Sequence, residues 1–209
     1  MRKFFILFLV LIGFLGAYFF QNNFSRAQNR IQSPTNSSEN LQTAVSPTPH
    51  VESPGKPLKI NIPSLSVAAE VESVSEDSVG RMDIPNDYMN AAWYELGAIP
   101  GELGNSVIAA HYDTPTGDPS VFYEIDTLKQ GDEIVVTDEN GTDLVFLVTQ
   151  VVTYKNDNFP IKTVFGSHDK KRLNLITCGG DFDSTLKDYS DRTVVFSEFF
   201  EIRKVQNEI

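Results

Sequence analysis

The chain holds one cysteine and three histidines, so its capacity for nucleophilic chemistry rests on few residues. A single cysteine forms no intrachain disulfide, and with scattered histidines it makes a poor structural zinc site. The bland fate of a lone cysteine is that of a small buried hydrophobe. The alternative is a nucleophile, because a thiol beside an imidazole or guanidinium is drawn toward its reactive thiolate. Cys178 closes the apolar run Leu173–Thr177 and precedes Gly179-Gly180, where the backbone can turn sharply and offer amide donors to a ligand. His50 sits among Pro and Ser, and His168 lies in the polar run Gly166–Lys171. His111 alone follows a buried-strand pattern, Ser106–Ala110. Arg192 opens the next apolar run, 14 residues beyond Cys178. As a permanent cation it can favour a thiolate or hold an oxyanion. The competing readings are a core histidine and a surface arginine paired with Asp188 or Asp191. The order His, Cys, Arg also differs from papain-like enzymes, in which the Cys comes first.

Positioning these residues requires strand ends, and the pattern supplies them. Leu58-Lys59-Ile60-Asn61-Ile62 alternates with period two and stops at Pro63, as a half-buried strand does. Glu133–Thr137 and Leu144–Val148 flank Asp138-Glu139-Asn140-Gly141, whose Asn-Gly pair suits a hairpin. Thr193–Phe196 gives another strand after Arg192. Only Val121–Leu128 and Ile161–Phe165 read as short helices. Many short strands broken by turns predict an all-β closed barrel or sandwich.

Arg2 and Lys3 precede an unbroken apolar run, Phe4–Phe20. As a helix it would span about 26 Å, close to a bilayer's hydrocarbon thickness. Residues 1–20 therefore read as a single-pass membrane anchor with a cytoplasmic N-terminus. A cleaved signal peptide is the rival, with small residues around Ser25-Arg26-Ala27. Either way the remainder is exported, where a free thiol meets oxidising surroundings and so invites a chemical explanation. Residues 21–56, rich in Gln, Asn, Ser, Thr and Pro, read as a flexible stem. Residues 57–209 form the folded domain. From Pro57 onward 12 Lys and Arg stand against 26 Asp and Glu. That balance is a poor match to nucleic acid, whose affinity comes from neutralising phosphates.

Ala110-His111-Tyr112-Asp113-Thr114, Leu173–Cys178 and Asp191-Arg192-Thr193-Val194-Val195 closely resemble the His, Cys and Arg motifs of sortases. Ala92-Trp93-Tyr94, Ile99–Asn105 and Cys178-Gly179-Gly180-Asp181-Phe182-Asp183 resemble class F in particular, and less strongly class E or D. The resemblance covers residues 58 to 203. It implies the eight-stranded sortase barrel and a transpeptidase with Cys178 as nucleophile, His111 as acid and base, and Arg192 at the oxyanion. It also implies Thr177 and Gly179 as substrate contacts, although Thr177 reads equally as a β-branched strand residue. Asp113 would orient His111 or simply be solvated. The implied partners are secreted proteins with a C-terminal Leu-Pro-x-Thr-Gly-like sorting signal. The implied acceptor is a cell-wall peptide or pilin lysine amine at the surface of a Gram-positive-type bacterium. No cofactor is implied; Asp118, Asp181 and Asp183 carry oxygens suited to calcium, but their spacing fits no calcium loop. A membrane-anchored β-barrel binding module explains the strands equally well, and a hydrolase would share the acyl-enzyme.

Overall fold

Period-two patterning needs a partner for each strand edge, and a closed barrel gives every strand two. The computed structural model describes residues 53–204; the expected anchor, most of the expected stem and His50 lie outside them. Eight strands run β1 (Pro57–Ile62), β2 (Val67–Val74), β3 (Ala91–Tyr94), β4 (Gly104–Ala110), β5 (Glu133–Asp138), β6 (Thr142–Lys155), β7 (Lys171–Asp183) and β8 (Asp188–Lys204). They close in the order β1-β2-β3-β4-β7-β8-β6-β5. The β2–β3 and β4–β7 pairs are parallel, and the remaining pairs are antiparallel.

The barrel interior is filled by Ile60, Ile62, Trp93, Ile108, Ile134, Val136, Leu144, Phe146, Leu173, Leu175 and Val195, all essentially buried. Phe122, Ile125 and Leu128 join them from the connection after β4. That stretch, expected as a short helix, is a series of turns ending in the 3-10 turn Ile125–Thr127. Of its four buried side chains, Phe122, Ile125 and Leu128 recur every third residue beside Val121, and a 3-10 turn aligns residues i and i+3 where an α-helix would spread them. The Asn-Gly hairpin forms as a three-residue loop. The Gly141 amide donates to the Asp138 carbonyl at 3.0 Å, and Gly141 takes the left-handed φ of 74° that closes such loops. The buried Asp138 carboxylate also accepts from the amides of Gly55, Asn140 and Thr142, each at 2.9 Å. The chain is therefore latched to this hairpin before β1 begins.

A second apolar cluster lies on the barrel's outer face, over β4, β7 and β8: Val107, Ile176, Val194 and Phe196, with Val164. Val164 belongs to α1 (Ile161–Phe165), the expected second helix. Five residues are too few for a helix to stand alone, and two buried asparagines hold it down. Asn105 Nδ2 donates to the carbonyls of Thr163 and Gly166 at 3.2 and 2.7 Å. Asn174 Nδ2 donates to that of Val164 at 2.8 Å.

The Asn174 side chain is fully buried, so its removal strands the Val164 carbonyl without solvent. Asn174→Ala is expected to cost about 1–3 kcal/mol in urea unfolding. It should also speed hydrogen exchange across residues 161–166 before the rest of the barrel.

Candidate active site

Alternation along a strand puts every second residue on one face, and the outer face of β4, β7 and β8 carries the reactive groups at one end. On β7 the outward residues are Asn174, Ile176 and Cys178. Across the antiparallel β7–β8 ladder they face Phe196, Val194 and Arg192. On β4 the outward residues Val107 and Ala109 face Asn174 and Ile176. The same parallel register, carried two residues past Ala109, sets His111 level with Cys178. His111, Cys178 and Arg192 thus form a row across three adjacent strands spaced about 4.8 Å apart. Thr177 locks this register from the inward face, its hydroxyl donating to the Ala110 carbonyl at 3.0 Å.

Beyond Cys178 the β7–β8 pairing slips between Gly179 and Phe182. Gly180 makes the slip possible. Its φ is 77°, and a Cβ there would run into Ser190 and Asp191. Past the slip the pairing resumes, Phe182 with Tyr189 and Asp183 with Asp188, and this end of the hairpin borders a cleft of about 530 Å³. The walls include His111, Cys178, Asp113, Asp188 and Tyr88, with residues 114–117 along one side. Aromatic rings follow one another along the rim: Phe182 to Tyr189 at 5.1 Å, Tyr189 to Tyr112 at 5.5 Å, and Tyr112 to Tyr123 at 4.6 Å.

Cys178 is half-buried, and burial pushes its thiol pKa above the ordinary value. Arg192 pulls it down, while Asp188 and Asp113 push it further up. The guanidinium is itself held: Nη1 donates to the carbonyls of Tyr189 and Asp191 at 3.1 and 2.8 Å, and Nη2 to Asp188 Oδ1 at 2.7 Å. Three of its five N–H groups are engaged in this way, which leaves two for another acceptor. The pairing with Asp188 considered from sequence is thus present, and the guanidinium still acts on the thiol.

Asp113 makes no hydrogen bond to His111 among the described residues; its carboxylate accepts from the Tyr189 hydroxyl instead. Burial and that bond push the Tyr189 pKa up to about 12. The side-chain neighbour of His111 is Tyr88, whose ring centroid lies 4.3 Å from the imidazole at an interplanar angle of 32°. Tyr88 belongs to the β2–β3 connection, which Glu72 of β2 fastens. The Glu72 carboxylate accepts from Asn90 Nδ2 and Asn86 Nδ2, each at 2.9 Å, and from the Asn86 amide at 3.1 Å. These bonds, that from Asn90 first, hold its pKa at about 2. The brace is therefore complete above the ordinary carboxylate range and is lost only as pH falls toward 2.

Of the residues singled out in the sequence, His111, Cys178 and Arg192 converge. His168 sits before the opposite end of β7, whose first residue Lys171 lies about 23 Å along the strand from Cys178, and its Nδ1 accepts from the Lys170 amide at 3.0 Å. Thr177 and Gly179 are buried and, like Arg192, stand behind the walls of the cleft. Asp118 accepts from the Thr116 hydroxyl, and Asp183 from the amides of Thr185 and Leu186. Among the described residues no group of three His, Cys, Asp or Glu side chains is placed to hold a metal ion. Tyr88, Glu72 and Tyr189 were missed. Tyr88 and Tyr189 lie in short polar contexts, and Glu72 is an ordinary outward strand residue. No local pattern marks residues whose partners lie 14 to 76 positions away.

Residues 60–199 match the family model described as Sortase domain. Sortase A of Listeria monocytogenes is similar in fold: TM-score 0.55, 22% identity, covering 72% of this chain and 90% of that one. Sortase A of Corynebacterium diphtheriae, in a lid mutant, gives TM-score 0.55 at 18% identity over 77% and 78% of the two chains. Sortase C of Clostridium perfringens gives 0.50 at 24% over 71% and 72%. No curated protein matches.

The charges around Cys178 set the direction of two substitutions. Removing the Arg192 cation destabilises the thiolate, so Arg192→Ala should move the midpoint of iodoacetamide labelling against pH upward. Removing the Asp188 anion does the reverse, so Asp188→Asn should move it downward. Identical midpoints in all three proteins would rule out this electrostatic coupling.

Proposed function

The chain belongs to the sortase family, and on that premise we propose that it is a cysteine transpeptidase acting on Leu-Pro-x-Thr-Gly-like sorting signals. The observation that carries the proposal is the row of His111, Cys178 and Arg192 across three adjacent strands, with His111 and Cys178 lining the cleft and Arg192 paired with Cys178 behind its wall. A binding module has no use for a nucleophile, a proton carrier and a cation aligned across three strands.

The steps follow from what each group can do. The Cys178 sulfur, drawing on its minor thiolate population, attacks the carbonyl carbon after Thr in the signal. The electron pair moves onto the carbonyl oxygen, and the two uncommitted N–H groups of Arg192 supply its stabilisation. The oxyanion collapses, the C–N bond breaks, and His111 gives a proton to the departing amine. A thioester to Cys178 remains. An incoming amine then attacks it, loses a proton to His111, and releases the sulfur as a new amide forms. Water in place of the amine would give hydrolysis through the same thioester.

The cargo in this reading is a set of secreted proteins with C-terminal sorting signals. The acceptor is a surface amine, such as a cell-wall peptide or a pilin lysine. The apolar residues 1–20 support placement on the outer side of the cell membrane, with the N-terminus inside. Cys178-Gly179-Gly180-Asp181-Phe182-Asp183 and Ile99–Asn105 support class F within the family.

Incubation with a panel of Leu-Pro-x-Thr-Gly-like peptides and triglycine should yield, by mass spectrometry, a thioacyl adduct on Cys178 and a ligated product. Cys178→Ala should abolish both, and His111→Ala should lower turnover by about 10²-fold or more. Cleavage without ligation would assign a hydrolase. An unlabelled Cys178 with every peptide, despite its reaction with iodoacetamide, would reject the sorting-signal reading.

A further inference from the structure

A nucleophile–base pair ordinarily includes a third group that orients the base. Here no side chain among the described residues hydrogen-bonds the His111 imidazole, and the nearby Asp113 is committed to Tyr189. We infer that Tyr88 takes that place as a positioning residue, holding the His111 ring by stacking rather than by a hydrogen bond. The inference rests on the transpeptidase reading of His111.

The geometry has three parts. The two rings are in contact, with centroids 4.3 Å apart and planes 32° from parallel. The segment carrying Tyr88 is fixed on one side by Glu72, which gathers Asn86 and Asn90. The Asp87 carboxylate accepts from the Met89 amide at 2.9 Å, and the Asp87 carbonyl accepts from the Asn90 amide at 3.1 Å. On the other side the buried Ser120 hydroxyl donates to the Tyr88 carbonyl. Ser120 belongs to the segment that follows His111, where the Phe122 amide donates to the His111 carbonyl at 3.1 Å. Tyr88 is thus tied to β2 and to the backbone that carries His111. Tyr88 as a residue is 39% exposed, so the bracing does not serve to bury it. It fills one flank of the cleft, and the face it presents inward covers the imidazole.

A ring that must give a proton to one amine and take one from another has to keep the same orientation through both half-reactions. Stacking does this without occupying either nitrogen, so both remain free for substrate. A carboxylate partner would occupy one nitrogen and would add another anion beside a thiol whose ionisation Asp113 and Asp188 already oppose.

The test uses the full chain in detergent with ¹³C-labelled histidine, His111 being assigned by the signal lost in His111→Gln. In wild type and Tyr88→Phe the His111 ring should show one rotamer by its nuclear Overhauser contacts. In Tyr88→Leu it should average over several. With the peptide and triglycine assay, Tyr88→Leu should lower kcat about tenfold or more with KM within about twofold, and Tyr88→Phe should restore kcat. A His111 ring that keeps one rotamer in Tyr88→Leu would overturn the inference. So would a raised KM with unchanged kcat, or equal losses in the Leu and Phe variants. If wild type forms no thioacyl adduct, the transpeptidase reading fails by itself, and the rotamer measurement still decides what Tyr88 does.

Discussion

The parallel pairing of β4 with β7 is the constraint on which the site depends. In a pleated sheet a one-residue slip exchanges the two faces of a strand. A slip of β7 against β4 would turn Cys178 into the barrel and bring Thr177 out toward the cleft. The register is held from both faces. Inside, Leu173 and Leu175 interlock with Ile108 in the core, and the Thr177 hydroxyl reaches the Ala110 carbonyl. Outside, Val107, Ile176 and Val194 pack beneath α1. The short helix and its asparagine ties therefore act on the chemistry from a distance, by keeping the outer face closed up to the residues before Cys178.

Past that point the ladder is deliberately loosened. The bulge after Cys178 frees its strand from strict pairing where a substrate has to approach, and Gly180 adopts the left-handed conformation that the bulge needs. The thiol sits where burial opposes its ionisation, and the nearest cation is shared with Asp188. Burial and the nearby Asp188 and Asp113 carboxylates thus oppose the pull of Arg192 on the thiol.

The walls of the cleft come from three places: the β2–β3 connection with Tyr88, the β4–β5 connection with Tyr112 and Asp113, and the paired end of the β7–β8 hairpin with Phe182 and Tyr189. Each is pinned by polar contacts at its base, while the aromatic rings meet across the gaps. Rigid strands thus fix the reacting row, and braced loops shape what can reach it.

Strand alternation, the hairpin turn and the apolar runs were all written locally, so the all-β barrel and the place of His111 at the end of β4 were legible from residue order; Cys178 and Arg192, expected at strand ends, lie inside β7 and β8, because the polar residues around them still pair across the hairpin. The motifs around them carried the family as well. In the stretch Val121–Leu128 the expected short helix is confined to the 3-10 turn Ile125–Thr127, because its side chains pack into the core at a period of three. The partners of each reactive group were not legible. Asp191 adjoins Arg192 in sequence and Asp188 lies four residues before it, yet the folded hairpin gives the guanidinium to Asp188 and the Asp191 carboxylate to Lys155. Asp113 is two residues from His111, yet it bonds to Tyr189, 76 positions on. Tyr88 reaches His111 because Glu72 gathers a loop that has no regular pattern. Sequence determined which residues could react, since side-chain chemistry and strand period are local properties. Tertiary structure decided what each of them touches, because register, bulges and loop bracing bring together groups that the chain keeps far apart.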